Sequence, residues 1–216
     1  MSCTVAVVDY GMGNLRSVAK AIEHVAPWDR VLITSNAAEI ARADRVVVPG
    51  QGAMPDCMRE LEVRGLRDAV VRAAQTQPFL GICVGLQMLF GHAEEGGVMG
   101  LEILPGRVPR FPRSITAKPD GDRLKVPHMG WNQVKQQPQS NLHALWRGIH
   151  DSARFYFVHS YFVEPAHPGL IVGTTDYGIP FTSAVARDNI FAVQFHPEKS
   201  ARDGLALLAN FMSWNP

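Results

Sequence analysis

Apolar positions in the first half of the chain alternate between two periods. TVAVV (4–8) is apolar on both faces, as suits a strand inside a parallel sheet with helices above and below it. Leu15, Val18, Ala19, Ile22, Val25 and Ala26 then recur at helical spacing, which predicts a helix with one buried stripe. VLIT (31–34) and RVVVP (45–49) read as further strands, the second ending at Pro49. Residues 55–75 read as one polar helical stretch with Leu66, Ala69, Val70 and Ala73 as its stripe, and PFLGI (78–82) as the next strand. Strands separated by helices in this rhythm imply βαβ units, because each parallel crossover packs a helix on the sheet.

The texture then changes. Pro105, Pro109, Pro112, Pro119, Pro127 and Pro138 stand among charges between 105 and 140, predicting edge strands and long loops. From 154, RFYFVHSYFV, LIVGTT, FTSAVA and IFAVQF are each closed by turn residues, the mark of antiparallel strands. A last helix from about 201 sets Leu205, Leu208, Ala209 and Met212 on one face. No repeat, linker or low-complexity segment is present, so 1–216 reads as a single α/β domain. Its central sheet is mostly parallel, with a smaller antiparallel region in the C-terminal half.

Composition narrows the function classes. With 46% hydrophobic and 19% charged residues the chain is neither disordered nor fibrous. A net charge of +1 without a basic run argues against nucleic-acid binding. No apolar stretch of about 18 residues and no leader-like N-terminus are present, so no membrane contact and a cytoplasmic location are expected. Cys3, Cys57 and Cys83 are odd in number and lack CxxC spacing, and read as free thiols.

One of these thiols sits where a nucleophile would. In GICVGLQ, Cys83 falls between a strand and an apolar helix, with Gly81 and Gly85 two positions to either side. A nucleophile on so tight a turn leaves no room for side chains at those positions. A helix N-terminus would also favour its thiolate. Further on, His196 and Glu198 of QFHPEKS project from one face of an extended segment stiffened by Pro197. A carboxylate could thus orient the imidazole toward the sulfur. In VVVPGQGA, Gly50 and Gly52 let the intervening peptide turn, so a backbone N–H there, with that of Val84, could stabilise an oxyanion. Taken singly, each string also fits a bland reading: a buried cysteine before a core helix, a strand-end turn, a plain βα loop. The combination favours chemistry.

These strings together resemble the class I (triad) glutamine amidotransferases, and within them the glutaminase subunits of imidazole glycerol phosphate synthases. The markers are VDYGMGN (8–14), PGQGAM (49–54), GICVGLQ (81–87), HMGWN (128–132), FVHSY (157–161) and QFHPEKS (194–200). The resemblance implies a three-layer flavodoxin-like fold and hydrolysis of L-glutamine through a Cys83 thioester. It gives His196 the proton transfers, Glu198 the task of holding His196, the Gln51 and Val84 N–H groups the oxyanion, and Gly50, Gly52, Gln87, His159, Ser160 and Tyr161 contacts with glutamine. It also implies a heterodimer partner, the (β/α)8-barrel cyclase, which receives the ammonia. Asn14 falls at that interface by resemblance, and Trp131 and Lys199 are candidates for the same surface. Two departures stand out: the loop reads PGQGAM where the family usually has PGVGAF, and 108–127 is a long surface excursion. No cofactor or metal is expected. DYGMGN lacks the GxGxxG spacing, and His128, His143, His150, His159 and His167 lack metal-ligand spacing. Two rival readings remain, a free-standing cysteine hydrolase and a binding module in which Cys83 only packs.

Overall fold

The computed structural model describes residues 2–115, 123–137 and 143–216. β1 (Thr4–Val8), β2 (Arg30–Thr34), β3 (Arg45–Gly50) and β4 (Phe79–Cys83) pair in parallel in the order β2-β1-β3-β4. Apart from Thr4, every residue of β1, β3 and β4 is buried, which is why these runs are apolar on both faces. α1 (Leu15–Val25) turns Val18, Ala19 and Ile22 inward, as the periodicity predicts.

The helical stretch expected over 55–75 is two helices, α3 (Met54–Val63) and α4 (Arg67–Thr76). Gly65 sits at φ +66°. Its N–H reaches Glu62 O at 2.9 Å and the Leu66 N–H reaches Leu61 O at 3.0 Å. These paired bonds stop α3, and glycine adopts the left-handed angle without a Cβ penalty. α2 (Ala37–Arg42), absent from the sequence reading, is opened by the Asn36 side chain accepting the Ala38 N–H at 2.9 Å.

The two halves join at β13 (Ile190–Val193). This strand runs antiparallel to β12 (Pro180–Arg187) but parallel to β4, with Val193 opposite Ile82. The sequence texture predicts only the antiparallel side. Beyond β12 lie β11 (Ile171–Asp176), β8 (His128–Gln136) and β9 (Ala153–His159), which complete a sheet of nine strands among the described residues. Five strands form the parallel part and four the antiparallel wing, so the wing is nearly as wide. A small second sheet gathers β5 (His92–Ala93), β6 (Val98–Met99), β7 (Gly106–Val108) and β10 (Glu164–Pro165). α1 packs with α6 (Ala201–Ser213) and α2 with α4, forming the outer layers of the sandwich. No helix of the described residues is long and apolar enough to cross a membrane.

Three local expectations need correction. β8 is not an edge strand: it lies between β11 and β9, pairing with β9 over seven positions. No proline falls inside it, so its ladder N–H groups are intact. The excursion at 108–127 is not wholly on the surface. Phe111 and Ile115 are buried, and Phe111 packs against the rings of His128, His159, Phe162 and Phe181. Residues 116–122 of the excursion, with Pro119, and Pro138 further on, lie outside the described residues. The inner face of α6 is Gly204, Leu207, Leu208, Phe211 and Met212, rotated from the stripe expected. Gly204 sets this rotation by close approach, since a Cβ there would stand 2.0 Å from Pro197 O.

Candidate active site

Parallel pairing sets the site at one edge of the sheet. Gly50 lies opposite Cys83, and Val193 opposite Ile82. The loops leaving β3, β4 and β13 therefore emerge side by side at the strands' C-terminal ends, where open α/β sheets place their ligands. Cys83 sits at φ 56°, ψ −110°, a strained conformation for a residue with a Cβ. The flanking glycines are required sterically. A Cβ on Gly85 would lie 1.9 Å from Val48 O, and one on Gly81 2.8 Å from Gly85 O. The expected apolar helix is a single turn, α5 (Val84–Gln87), so the field at the sulfur is that of a few N–H groups and not of a long helix.

His196 follows β13 and hangs from β9. Its N–H donates to Tyr156 O at 2.9 Å, and the Ser200 hydroxyl donates to its carbonyl at 2.6 Å. The segment is not extended as expected: Pro197–Lys199 forms a 3₁₀ turn, which brings the Glu198 carboxylate back under the ring. His196 Nδ1–H donates to Glu198 Oε1 at 2.9 Å, with both side chains buried. Nε2 is buried and has no hydrogen-bond partner among the described residues. Burial alone would push this imidazole down. The Cys83 sulfur and the Glu198 carboxylate outweigh burial and raise it to about 10. The ring therefore favours its protonated form at neutral pH.

Cys83 and His196 border a cavity of about 330 Å³. Gln51, Gly52 and Val84 form one wall, and Gln87, His159, Ser160 and Tyr161 another. Gly50 lies beneath, pressed on the elbow, where a Cβ would come 2.7 Å from Gly85 N. Glu198 stands behind His196. Asn14, Trp131 and Lys199 do not line the cavity. Trp131 is half-exposed and meets the Tyr156 ring edge-on, while the Lys199 ammonium lies 5.8 Å from the centre of that same ring. Asn14 stands at the start of α1, and its carbonyl accepts the Val18 N–H. A larger hollow of about 830 Å³ shares Pro127 with the cavity but is walled by Arg110, Arg113, Arg123 and Lys125, with no cysteine or serine in its lining. Among the described residues no group of His, Cys, Asp and Glu is placed to hold a metal.

Two residues of the site escape the sequence reading. Gln194 is buried; its Nε2 points to Cys83 Sγ at 3.7 Å and its Oε1 accepts from Gln87 Nε2 at 3.1 Å. Glu95 lines the cavity and accepts the Met54 N–H at 2.7 Å. Gln194 stands in the QFHPEKS string and could have been found there, whereas no local pattern marks Glu95.

Two of the scattered histidines are partners. His159 Nδ1 lies 2.8 Å from Tyr161 O, and a carbonyl only accepts, so Nδ1 carries the proton. His159 Nε2 must then accept from His128 Nδ1 at 3.0 Å, and His128 Nε2 from Asn132 Nδ2 at 3.3 Å. Both rings are neutral with every nitrogen matched. Burial drives His159 down to about 3 and His128 to about 4. Tyr161 O also takes Gln87 Nε2 at 3.1 Å, so the relay ends at the cavity wall.

A family model described as glutamine amidotransferase class-I matches residues 6–214. The chain belongs to the class I glutamine amidotransferases. Among its relatives, the imidazole glycerol phosphate synthase subunit HisH of Dechloromonas aromatica is 65% identical over 213 residues, covering 99% of this chain and 97% of that one. The protein of the same name from Thiobacillus denitrificans is 62% identical over 216 residues, covering 100% and 93%. Solved structures agree on the fold. One of PurLQS from Thermotoga maritima superposes with TM-score 0.70 at 16% identity over 99% of each chain. The glutaminase domain of CTPS from Trypanosoma brucei superposes with TM-score 0.63 at 20% identity, covering 100% of this chain and 96% of that one.

Proposed function

We propose that this chain is the glutaminase subunit of an imidazole glycerol phosphate synthase, acting in histidine biosynthesis. The observation that carries the glutaminase reading is the meeting of Cys83 and His196 at one cavity, the sulfur on a strained turn and the imidazole kept protonated by that sulfur and by Glu198. Cys83 Sγ attacks the side-chain carbonyl carbon of L-glutamine. The negative charge that develops on the carbonyl oxygen is met by the Gln51 and Val84 N–H groups. The tetrahedral adduct collapses as His196 passes its proton to the leaving nitrogen, so ammonia departs and a γ-glutamyl thioester remains. A water then gives its proton to neutral His196 and attacks the thioester, which releases glutamate and returns the sulfur.

The cavity wall suits an amino-acid substrate. Both Gln87 N–H bonds are engaged, by Tyr161 O and Gln194 Oε1, so this amide presents its carbonyl oxygen to the ligand. With the Glu95 carboxylate it forms an acceptor pair for an α-ammonium, while the Ser160 and Tyr161 hydroxyls supply donors for an α-carboxylate. The ammonia passes to the (β/α)8-barrel cyclase, which uses it to make imidazole glycerol phosphate and an aminoimidazole-carboxamide ribotide. Asn14, Trp131 and Lys199 form part of the surface that meets this partner. The test is glutamine hydrolysis by the purified chain with and without the cyclase. Turnover that the partner raises and Cys83→Ala abolishes supports the reading. Full turnover without a partner supports the free-standing hydrolase, and no turnover in either state removes the enzymatic account.

A further inference from the structure

The PGQGAM loop is braced at two of its carbonyls by side chains that the steps above do not use. Tyr10, fully buried beyond the end of β1, donates its hydroxyl to Pro49 O at 2.8 Å. Cys57, fully buried on α3, directs its thiol to Gln51 O at 3.7 Å. Burial raises the Tyr10 hydroxyl well above its ordinary value and the Cys57 thiol to about 11, so both stay protonated donors at neutral pH. Glu95 Oε2 secures the far end of the loop through the Met54 N–H.

The two braced carbonyls bear on one peptide. A peptide group is planar, so holding its carbonyl holds the whole plane. The Pro49 carbonyl belongs to the plane before the Gly50–Gln51 peptide, and the Gln51 carbonyl to the plane after it. The peptide between carries the Gln51 N–H. With both neighbours held, its remaining freedom is a concerted rotation about Gly50 ψ and Gln51 φ. The direction of that N–H is therefore set by the flanking bonds. We propose that Tyr10 and Cys57 are positioning residues for the oxyanion donor, acting through the Pro49 and Gln51 carbonyls to aim the Gln51 N–H at the carbonyl that Cys83 attacks. This rests on the glutaminase reading above.

The residue types fit the task. A Cβ at Gly50 would stand 2.9 Å from the Tyr10 hydroxyl, so only glycine lets the tyrosine reach past it to Pro49. A thiol is a compact donor that an apolar core tolerates. The segment bearing Tyr10 covers the loop's other end as well, since Met12 Cε would lie 2.9 Å from a Cβ at Gly52. That contact gives DYGMGN a role at the active site in addition to any at an interface.

The test uses the chain assembled with its cyclase partner and compares Tyr10→Phe, Cys57→Ala and Cys57→Ser. It reads kcat and KM for glutamine together with the rate of Cys83 alkylation by iodoacetamide, followed by peptide mass spectrometry. That alkylation builds no oxyanion. Loss of a whole oxyanion donor costs about 10²–10³ in kcat, so a misaimed one costs about tenfold. Tyr10→Phe and Cys57→Ala should each lower kcat by about that factor, with KM and alkylation within about twofold of wild type. Cys57→Ser, which keeps a donor, should recover most of the loss. Unchanged kcat in Tyr10→Phe and Cys57→Ala overturns the proposal, as does a fall in kcat matched by an equal fall in alkylation. Tyr10→Phe preserves ring volume and decides the matter if Cys57→Ala folds poorly. A wild-type complex that does not hydrolyse glutamine sinks the glutaminase reading and this proposal together. Wild-type turnover with unaffected variants sinks only the proposal.

Discussion

The neutral histidine relay makes folding stability sensitive to acid. His159 and His128 are matched nitrogen by nitrogen as neutral rings, and burial holds them down to about 3 and about 4. An unfolded chain binds protons at histidine near pH 6.5. Because the folded values lie below the unfolded one, the unfolded state takes up more protons below pH 6.5. Stability is therefore full above about 6.5 and falls as the pH drops toward 4. At pH 4.5 the linkage amounts to about 2–3 kcal/mol for each ring. His128→Gln removes one titrating group, yet its amide can still donate to His159 and accept from Asn132. Urea unfolding of both proteins at pH 6.5 and 4.5 cancels the shared carboxylate background. The wild type should lose about 2–3 kcal/mol more than the variant over this interval, about 5–10 °C in melting temperature for a chain of this size. Equal losses in the two proteins would refute the assignment of buried neutral rings.

Three further outcomes follow from the site geometry. Gly85→Ala sets a Cβ 1.9 Å from the Val48 carbonyl and should destabilise by about 3 kcal/mol or more, whereas Gly169→Ala, with open space around it, should stay within about 0.5 kcal/mol in the same melts. Glu198→Gln keeps an acceptor for His196 Nδ1–H but removes the charge that helps raise this imidazole to about 10. Glutamine kcat should fall by about 10²-fold or more, and NMR titration should place the His196 ring well below its wild-type value. Glu95→Gln can still accept the Met54 N–H but lacks the charge proposed to hold the substrate ammonium. It should raise KM for glutamine by about tenfold or more, with Cys83 alkylation unchanged.

What can be read from the chain depends on how far apart the interacting residues are. The elbow is legible because Gly81 and Gly85 lie two positions from Cys83, and the crowding that demands them is local. The His196–Glu198 bond is legible for the same reason, although the backbone achieves it by a 3₁₀ turn where an extended segment was expected. Gly65 is a weaker signal, since a lone glycine in a helical pattern marks a stop only when the bonds to Glu62 and Leu61 close around it. The inner face of α6 is misread because Gly204, which carries no hydrophobic signal, is the residue pressed against the Pro197 carbonyl.

Local order along the polypeptide determined which residues could carry chemistry: a cysteine between glycines, an imidazole two positions from a carboxylate, a turn between two glycines. Only tertiary structure decided that they meet. The parallel partnership of β13 with β4 sets His196 beside Cys83 across more than a hundred residues, and no short-range pattern encodes strand order. The pairing of His128 with His159, the reach of Tyr10 to Pro49 and the arrival of Glu95 at the cavity have the same origin. Each is a contact between segments whose own conformations are already satisfied, so its free energy exists only once the sheet has brought them together.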